Sequence, residues 1–238
     1  MGQILLVRHG QASFGSSNYD QLSPLGLEQS RILGTWLAQC GHRFDHVVTG
    51  DLQRHRQTAQ ACIEALAPAN KPSQAVDPGF NEYNHDDVLI RHRPEFADPD
   101  EIKHFLASQE NGKKAFQLVF EDAMARWMGG LHDGDYAESW PAFRTRCVAA
   151  LSKLVDAGGS QRIVVFTSGG TIATLAQHVL GMSDRQVFQL NWSLVNSAVT
   201  KLMFQSSPDG KPGRVSLSYL NNFSHLEKSR DAALVTYR

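Results

Sequence analysis

Apolar positions along this chain switch between two spacings, and the switch predicts its elements. Residues 3–7, with an unbroken apolar run at 4–7, read as a strand buried on both faces. Ser23-Pro24 carries N-cap and first-turn chemistry, which predicts a helix to about Cys40, stopped by Gly41. Phe44 to Val48 reads as a second strand. From Asp51 to about Leu66 the period is helical, with Leu52, Ala59, Cys62, Ile63 and Leu66 on one side. Pro68, Pro72 and Pro78 then break the chain. Residues 83–140 carry no strong strand signal, are richer in His, charge and Trp, and predict helices, best at 102–109 and 114–128. A further amphipathic helix is expected at 143–155. Ile163 to Phe166 is the cleanest buried strand, followed by Gly169-Gly170 and a helix through Leu180. Two late strands are expected at 197–204 and 215–220, split by a turn at Pro208-Asp209-Gly210.

Strands alternating with helices imply an α/β fold: a three-layer α/β/α arrangement around a largely parallel sheet. The expectation is a single domain over residues 1–238, with a helical insertion at about 83–140 lying over the carboxyl ends of the strands. In such sheets ligands bind beyond those ends. The first strand ends at Arg8-His9-Gly10, the second at Thr49-Gly50-Asp51 just before Arg54, and the late one at Thr167-Ser168-Gly169-Gly170. If these strands are neighbours, two arginines, a histidine and a Gly-rich helix start share one crevice. Guanidinium forks pair with phosphate oxygens, and free N–H groups at a helix start add positive potential. A histidine there can donate a hydrogen bond or attack phosphorus as a neutral nucleophile. Taken singly, Arg54-His55-Arg56 also reads as one solvated helix face. Trp127, Trp140 and Phe143 read as helical core packing.

Composition narrows the partners. With 23 Lys+Arg against 24 Asp+Glu, the net charge is −1, which argues against a generic nucleic-acid binder. No run approaches the roughly 18 apolar residues of a membrane span, and the first apolar run is too short for a secretory leader. The three cysteines, Cys40, Cys62 and Cys147, lack CxxC spacing and read as buried free thiols of a reducing cytoplasm, with no zinc site. A cytoplasmic protein acting on a small molecule, without nucleic acid or membrane, is the expectation. Nothing in the pattern speaks to its oligomeric state.

Several blocks resemble the histidine phosphatase superfamily, also called the phosphoglycerate mutase-like family. Leu6-Val7-Arg8-His9-Gly10-Gln11 matches its N-terminal signature. Thr49-Gly50-Asp51-Leu52-Gln53-Arg54-His55-Arg56-Gln57-Thr58-Ala59 resembles its second block. Phe80-Asn81-Glu82 resembles its acidic block, and Val164-Val165-Phe166-Thr167-Ser168-Gly169-Gly170 its late strand and loop. Ser23-Pro24-Leu25-Gly26 and residues 220–226 also match. The resemblance implies a phosphoglycerate mutase-like fold and a cofactor-free, metal-free phosphatase acting through a phosphohistidine. His9 is then the nucleophile, with Arg8 and Arg54 clamping the phosphoryl oxygens. Glu82 is the proton donor, with His85, Asp86 and Asp87 as rivals. Gln11, Ser13 and Gly169 are the substrate-binding candidates.

One departure stands out within the resemblance. The late block of the family reads His-Gly-Gly, and here that histidine is Ser168. A serine hydroxyl can donate one neutral hydrogen bond but carries no charge. Losing a charged donor at a transition state costs on the order of 3 kcal/mol, about a hundredfold in rate. Within the resemblance, the expectation is a phosphatase with reduced activity or a substitute donor (His85, His92 or His178), or a member that binds a phosphorylated ligand or protein partner without turnover. A phosphoglycerate mutase ranks below both. The segment after His9 lacks the Trp-Asn and Phe-x-Gly-Trp pattern of mutases, and the middle region lacks their Arg-His-Tyr-Gly block. Ser168 is no esterase nucleophile either, because the elbow motif needs Gly where Phe166 stands.

Overall fold

The first apolar run forms β1 (Gly2–Arg8), whose Ile4, Leu5, Leu6 and Val7 are wholly buried. The computed structural model describes residues 1–13, 20–69, 71–157, 159–206 and 213–237. After β1 come α1 (Pro24–Gln39), β2 (His46–Thr49), α2 (Gln53–Leu66), β3 (Ser73–Val76), α3 (His85–His92), α4 (Pro99–Ser108), α5 (Gly112–Met128) and α6 (Trp140–Asp156). The chain continues through β4 (Arg162–Thr167), α7 (Gly169–Leu180), α8 (Asp184–Ser193), β5 (Val199–Gln205), β6 (Arg214–Asn222) and the short α9 (Ser224–Glu227).

The strands form one mixed sheet in the order β3-β2-β4-β1-β5-β6. The β3-β2-β4-β1 pairs are parallel, and β5 runs antiparallel to both β1 and β6. Leu5, Val7, Val47, Val164, Phe166 and Val199 pack with Leu33 and Leu37 of α1 and Ala59, Cys62 and Leu66 of α2. Side chains alternate along a strand, so Ile4, Leu6, Ile163 and Val165 face the other way and are buried as fully. Apolar residues on both faces are what a sheet flanked by helices on both sides requires. Register brings the carboxyl ends into line: Arg8 lies opposite Thr167, and Thr49 opposite Phe166. His9, Gly50 and Ser168 therefore leave neighbouring strands at one edge.

The chain divides into two compact units, residues 1–82 with 146–238, and residues 83–145. The second is helical and holds an aromatic cluster, with Tyr83 and Trp140 centred 5.0 and 5.2 Å from Trp127 and Phe143 beside them. Trp127 Nε1–H is satisfied by the Glu138 carbonyl at 2.9 Å, so these aromatics are core, as their helical spacing predicts.

Helix ends follow the chemistry of their residues. Ser23 Oγ accepts the Gly26 N–H at 3.0 Å to start α1, and Gly181, at φ +69°, ends α7. The exposed edge strand β3 and the helices α8 and α9 escape the sequence pattern, whereas α3 falls inside the stretch expected to be helical. The expected turn at 208–210 lies outside the described residues. Cys62 and Cys147 are buried free thiols, but Cys40 is exposed, because α1 has already ended when the chain reaches it. Among the described residues no helix is long and apolar enough to cross a membrane.

Candidate active site

His9 follows β1 directly and is almost wholly buried. Its main chain is pinned from two sides: its N–H donates to the Thr167 carbonyl at 2.8 Å, and its own carbonyl accepts from Asn196 Nδ2 and the Ser197 N–H, both at 3.2 Å. The ring Nδ1 lies 2.7 Å from the Gly10 carbonyl. A carbonyl can only accept, so Nδ1 carries the hydrogen and Nε2 the lone pair. Burial, then the charges of Arg54 and Arg8 and the neighbouring His55, hold the imidazole pKa well below its ordinary value. His9 is therefore a neutral base at neutral pH.

Arg54 sits in the first turn of α2 and is also buried. Asp20 Oδ1 accepts from its Nη1 at 2.8 Å, while Asp20 Oδ2 accepts the Gln53 N–H at 2.9 Å. Thr58 ties this turn to β1: its hydroxyl donates to the Arg54 carbonyl at 2.7 Å and accepts the Gly10 N–H at 3.1 Å. Arg8 donates from Nη1 to the Leu194 carbonyl. A Cβ added at Gly169 would crowd Asn191 Oδ1 at 2.5 Å and would lie in ordinary contact with Arg8 Nε at 3.4 Å.

Ser168 occupies the N-cap position of α7, yet its hydroxyl makes no capping bond. Glu82 does that work instead, with Oε2 accepting the Gly170 N–H at 3.0 Å. Ser168 Oγ faces His55 Nε2 at 2.6 Å. The His55 ring is fully buried and centred 5.8 Å from the His9 ring. Burial, and then Arg54, hold its pKa well below the ordinary imidazole value.

The candidates read from the sequence thus divide. Arg8, His9, Arg54, Glu82, Ser168 and Gly169 gather at the carboxyl edge of β1, β2 and β4. Gln11 serves the fold: its side-chain oxygen accepts from Ser23 Oγ at 2.8 Å, and its N–H donates to Gln29. Ser13 donates its N–H to the Gln21 carbonyl at 2.8 Å. His85, Asp86, Asp87 and His92 belong to α3 in the second unit, where Asp86 pairs with His85 and Asp87 with Arg91. His178 is exposed in the last turn of α7, about 15 Å along the helix from Ser168 at 1.5 Å per residue. The helix face expected to be solvated at 54–56 is a correction: Arg54 and His55 are buried, and only Arg56 is exposed. Sequence alone gives no sign of His55, because a histidine between two arginines has the pattern of a solvated helix face. Its burial follows from packing α2 against the end of β4. Among the described residues no group of three His, Cys, Asp or Glu side chains converges to hold a metal ion.

Fold and site together define an α/β protein with Arg8, His9 and Arg54 gathered at the carboxyl edge of its sheet. The chain belongs to the histidine phosphatase superfamily (branch 1), whose profile matches residues 4–209. It is 30% identical over 218 residues to a 2,3-bisphosphoglycerate-dependent phosphoglycerate mutase of Sinorhizobium fredii, a match covering 88% of this chain and 94% of that protein. It is 36% identical over 72 residues to the mitochondrial serine/threonine-protein phosphatase PGAM5 of Xenopus laevis; the match spans 29% of this chain and 26% of that relative's length. The crystal structure of a phosphoglycerate mutase from Bacillus anthracis shares the fold, with a TM-score of 0.66 at 17% identity over 97% of both chains.

Proposed function

We propose that this chain hydrolyses a phosphomonoester through a phosphohistidine on His9, without metal or cofactor. The carrying observation is the buried, neutral His9, with its Nδ1–H held by Gly10 and two guanidiniums nearby. Nε2 attacks phosphorus while Arg8 and Arg54 neutralise the phosphoryl oxygens. The P–O bond to the leaving group breaks, and Glu82 protonates the departing oxygen. Water then attacks phosphorus as Glu82 accepts its proton, the N–P bond breaks with its electron pair returning to His9 Nε2, and inorganic phosphate leaves. Ser168 and Gly169 line the phosphoryl site, and Gln11 and Ser13 support the loop after the nucleophile. For His9 to act, Asp20 must share or yield Arg54 when the anion arrives.

A reading as a phosphate-binding member without turnover rests on Ser168, a neutral donor where the family carries a histidine. Mutase transfer ranks third, because the mutase blocks noted above are missing from the sequence, although a relative of nearly full-length match carries that name. The deciding measurement is acid-labile, base-stable phosphorylation of the chain by p-nitrophenyl phosphate, with phosphate release followed in parallel. Wild type should label and turn over, and His9→Ala should do neither. Labelling that survives His9→Ala removes the nucleophile assignment, and binding without any label favours the second reading.

A further inference from the structure

We propose that His55 positions and polarises Ser168 as a hydrogen-bond donor to the phosphoryl group, so that an imidazole reaches the phosphate through a serine. This rests on the reading of His9 as the phosphate acceptor.

The observations come from four directions. His55 is fully buried beside Arg54, an expensive place for an imidazole unless a partner holds it. Its Nε2 has that partner in Ser168 Oγ, at 2.6 Å. Ser168, at the head of α7, would ordinarily use its hydroxyl to cap the helix. Here Glu82 caps Gly170 and leaves the hydroxyl to face His55. Gly50, at the end of β2, makes the room: a Cβ there would overlap His55 Nδ1 and press on Asn81 Oδ1. The two imidazoles then lie with ring centres 5.8 Å apart and tilted by 34°, which puts Ser168 within the same small volume as the nucleophile.

Hydrogen counting decides the direction of the relay. A neutral imidazole carries one N–H. If Nδ1 held it, Nε2 would accept the serine hydrogen, and the Oγ lone pairs would face an arriving anion. If Nε2 holds it, Nε2–H donates to Oγ and the serine O–H is left to donate outward. Buried Nδ1 has no hydrogen-bond partner to reward a hydrogen placed there. A phosphoryl oxygen therefore selects the second arrangement. Donor and acceptor roles then run His55 to Ser168 to phosphate, each bond strengthening the next. No proton changes owner, and no bond to carbon or phosphorus is made by either residue.

His55 is thus a positioning residue, and the test must separate it from a packing role. Turnover of p-nitrophenyl phosphate, labelling of His9 and binding of inorganic orthovanadate are measured on wild type, His55→Ala, His55→Gln, Ser168→Ala, the double alanine variant and the exchange variant His55→Ala with Ser168→His. Each single alanine should lower kcat about tenfold to a hundredfold with a smaller change in KM, the range of one transition-state donor or less. The double variant should be no worse than the poorer single, because the two act as one unit. His55→Gln keeps an N–H near the Nε2 position and should recover much of the loss. The exchange variant restores an imidazole from the other side and should recover at least tenfold over His55→Ala, which relief of a packing defect cannot do.

Wild-type turnover in His55→Ala overturns the inference and leaves the His9 reading standing. So do losses that multiply in the double variant, or an exchange variant as poor as His55→Ala. If wild type forms no phosphohistidine, the His9 reading fails, and vanadate still decides this one. Affinity at least tenfold lower in His55→Ala and Ser168→Ala, regained in His55→Gln, supports it. Unchanged affinity, or no vanadate binding by wild type, overturns it.

Discussion

At the level of single residues, several groups at this site are held away from their usual partners or states. Burial and two guanidiniums keep His9 neutral, which leaves its Nε2 lone pair available where an exposed histidine would be partly protonated. Ser168 is released from capping because Glu82 caps Gly170. Gly50 has no conformational duty here; it is small because His55 lies against it. Gly50→Ala should therefore push His55 off Ser168, lower turnover as far as His55→Ala does, and destabilise the fold by about 1–3 kcal/mol, the usual cost of overpacking. Turnover assays and urea unfolding read the two effects separately. Full activity in Gly50→Ala would mean the His55 position does not matter. Arg8, His9 and Arg54 are legible in sequence because each ends a strand, follows one or opens a helix. His55 is not, since nothing in the order Gln53-Arg54-His55-Arg56 says which side of α2 meets the sheet.

At the scale of elements, legibility tracked burial. The largely buried strands β1 and β4 and the strongly periodic helices α1, α2 and α5 lie close to where the sequence pattern predicts them. Strand β3 is not predicted by it: all four of its residues are exposed, it follows Pro72, and it pairs only with β2 at the sheet edge. Helix α8 carries a local signal in the capping box of Ser183 and Gln186. Helix α3 is short and polar, and its start depends on Asn84 Oδ1 accepting the N–H groups of Asp86 and Asp87. In the second unit, stability is concentrated in the cluster of Tyr83, Trp127, Trp140 and Phe143. Trp127→Ala should cost about 3–5 kcal/mol there. Amide hydrogen exchange should show residues 83–145 losing protection before β1 and β4. Equal loss across both units would show that they unfold together.

At the scale of the whole molecule, near-neutral net charge conceals a concentration of buried imidazoles. His9 and His55 have strongly depressed pKa values, and burial pushes His225 down to about 4. In the unfolded chain each titrates near 6.5. Below that pH the unfolded state binds protons that the folded state refuses, so stability is full above about 6.5 and falls as pH drops. The slope is about 1.4 kcal/mol per pH unit for each such histidine, flattening for His225 near its folded value. Thermal unfolding from pH 8 to 4.5 should show Tm falling steeply below about 6.5, and His225→Gln should flatten part of that fall. A flat Tm across the range would contradict the buried neutral state. The α/β alternation, the buried strands and the strand-end positions of Arg8 and His9 are readable in the sequence alone, because they depend on local periodicity and on residues next to strand ends. That β1, β2 and β4 end side by side, that Glu82 caps α7, and that His55 meets Ser168 emerges from the fold. Those pairings join residues 88 and 113 positions apart, and only packing of the helices on the sheet brings them within hydrogen-bond distance.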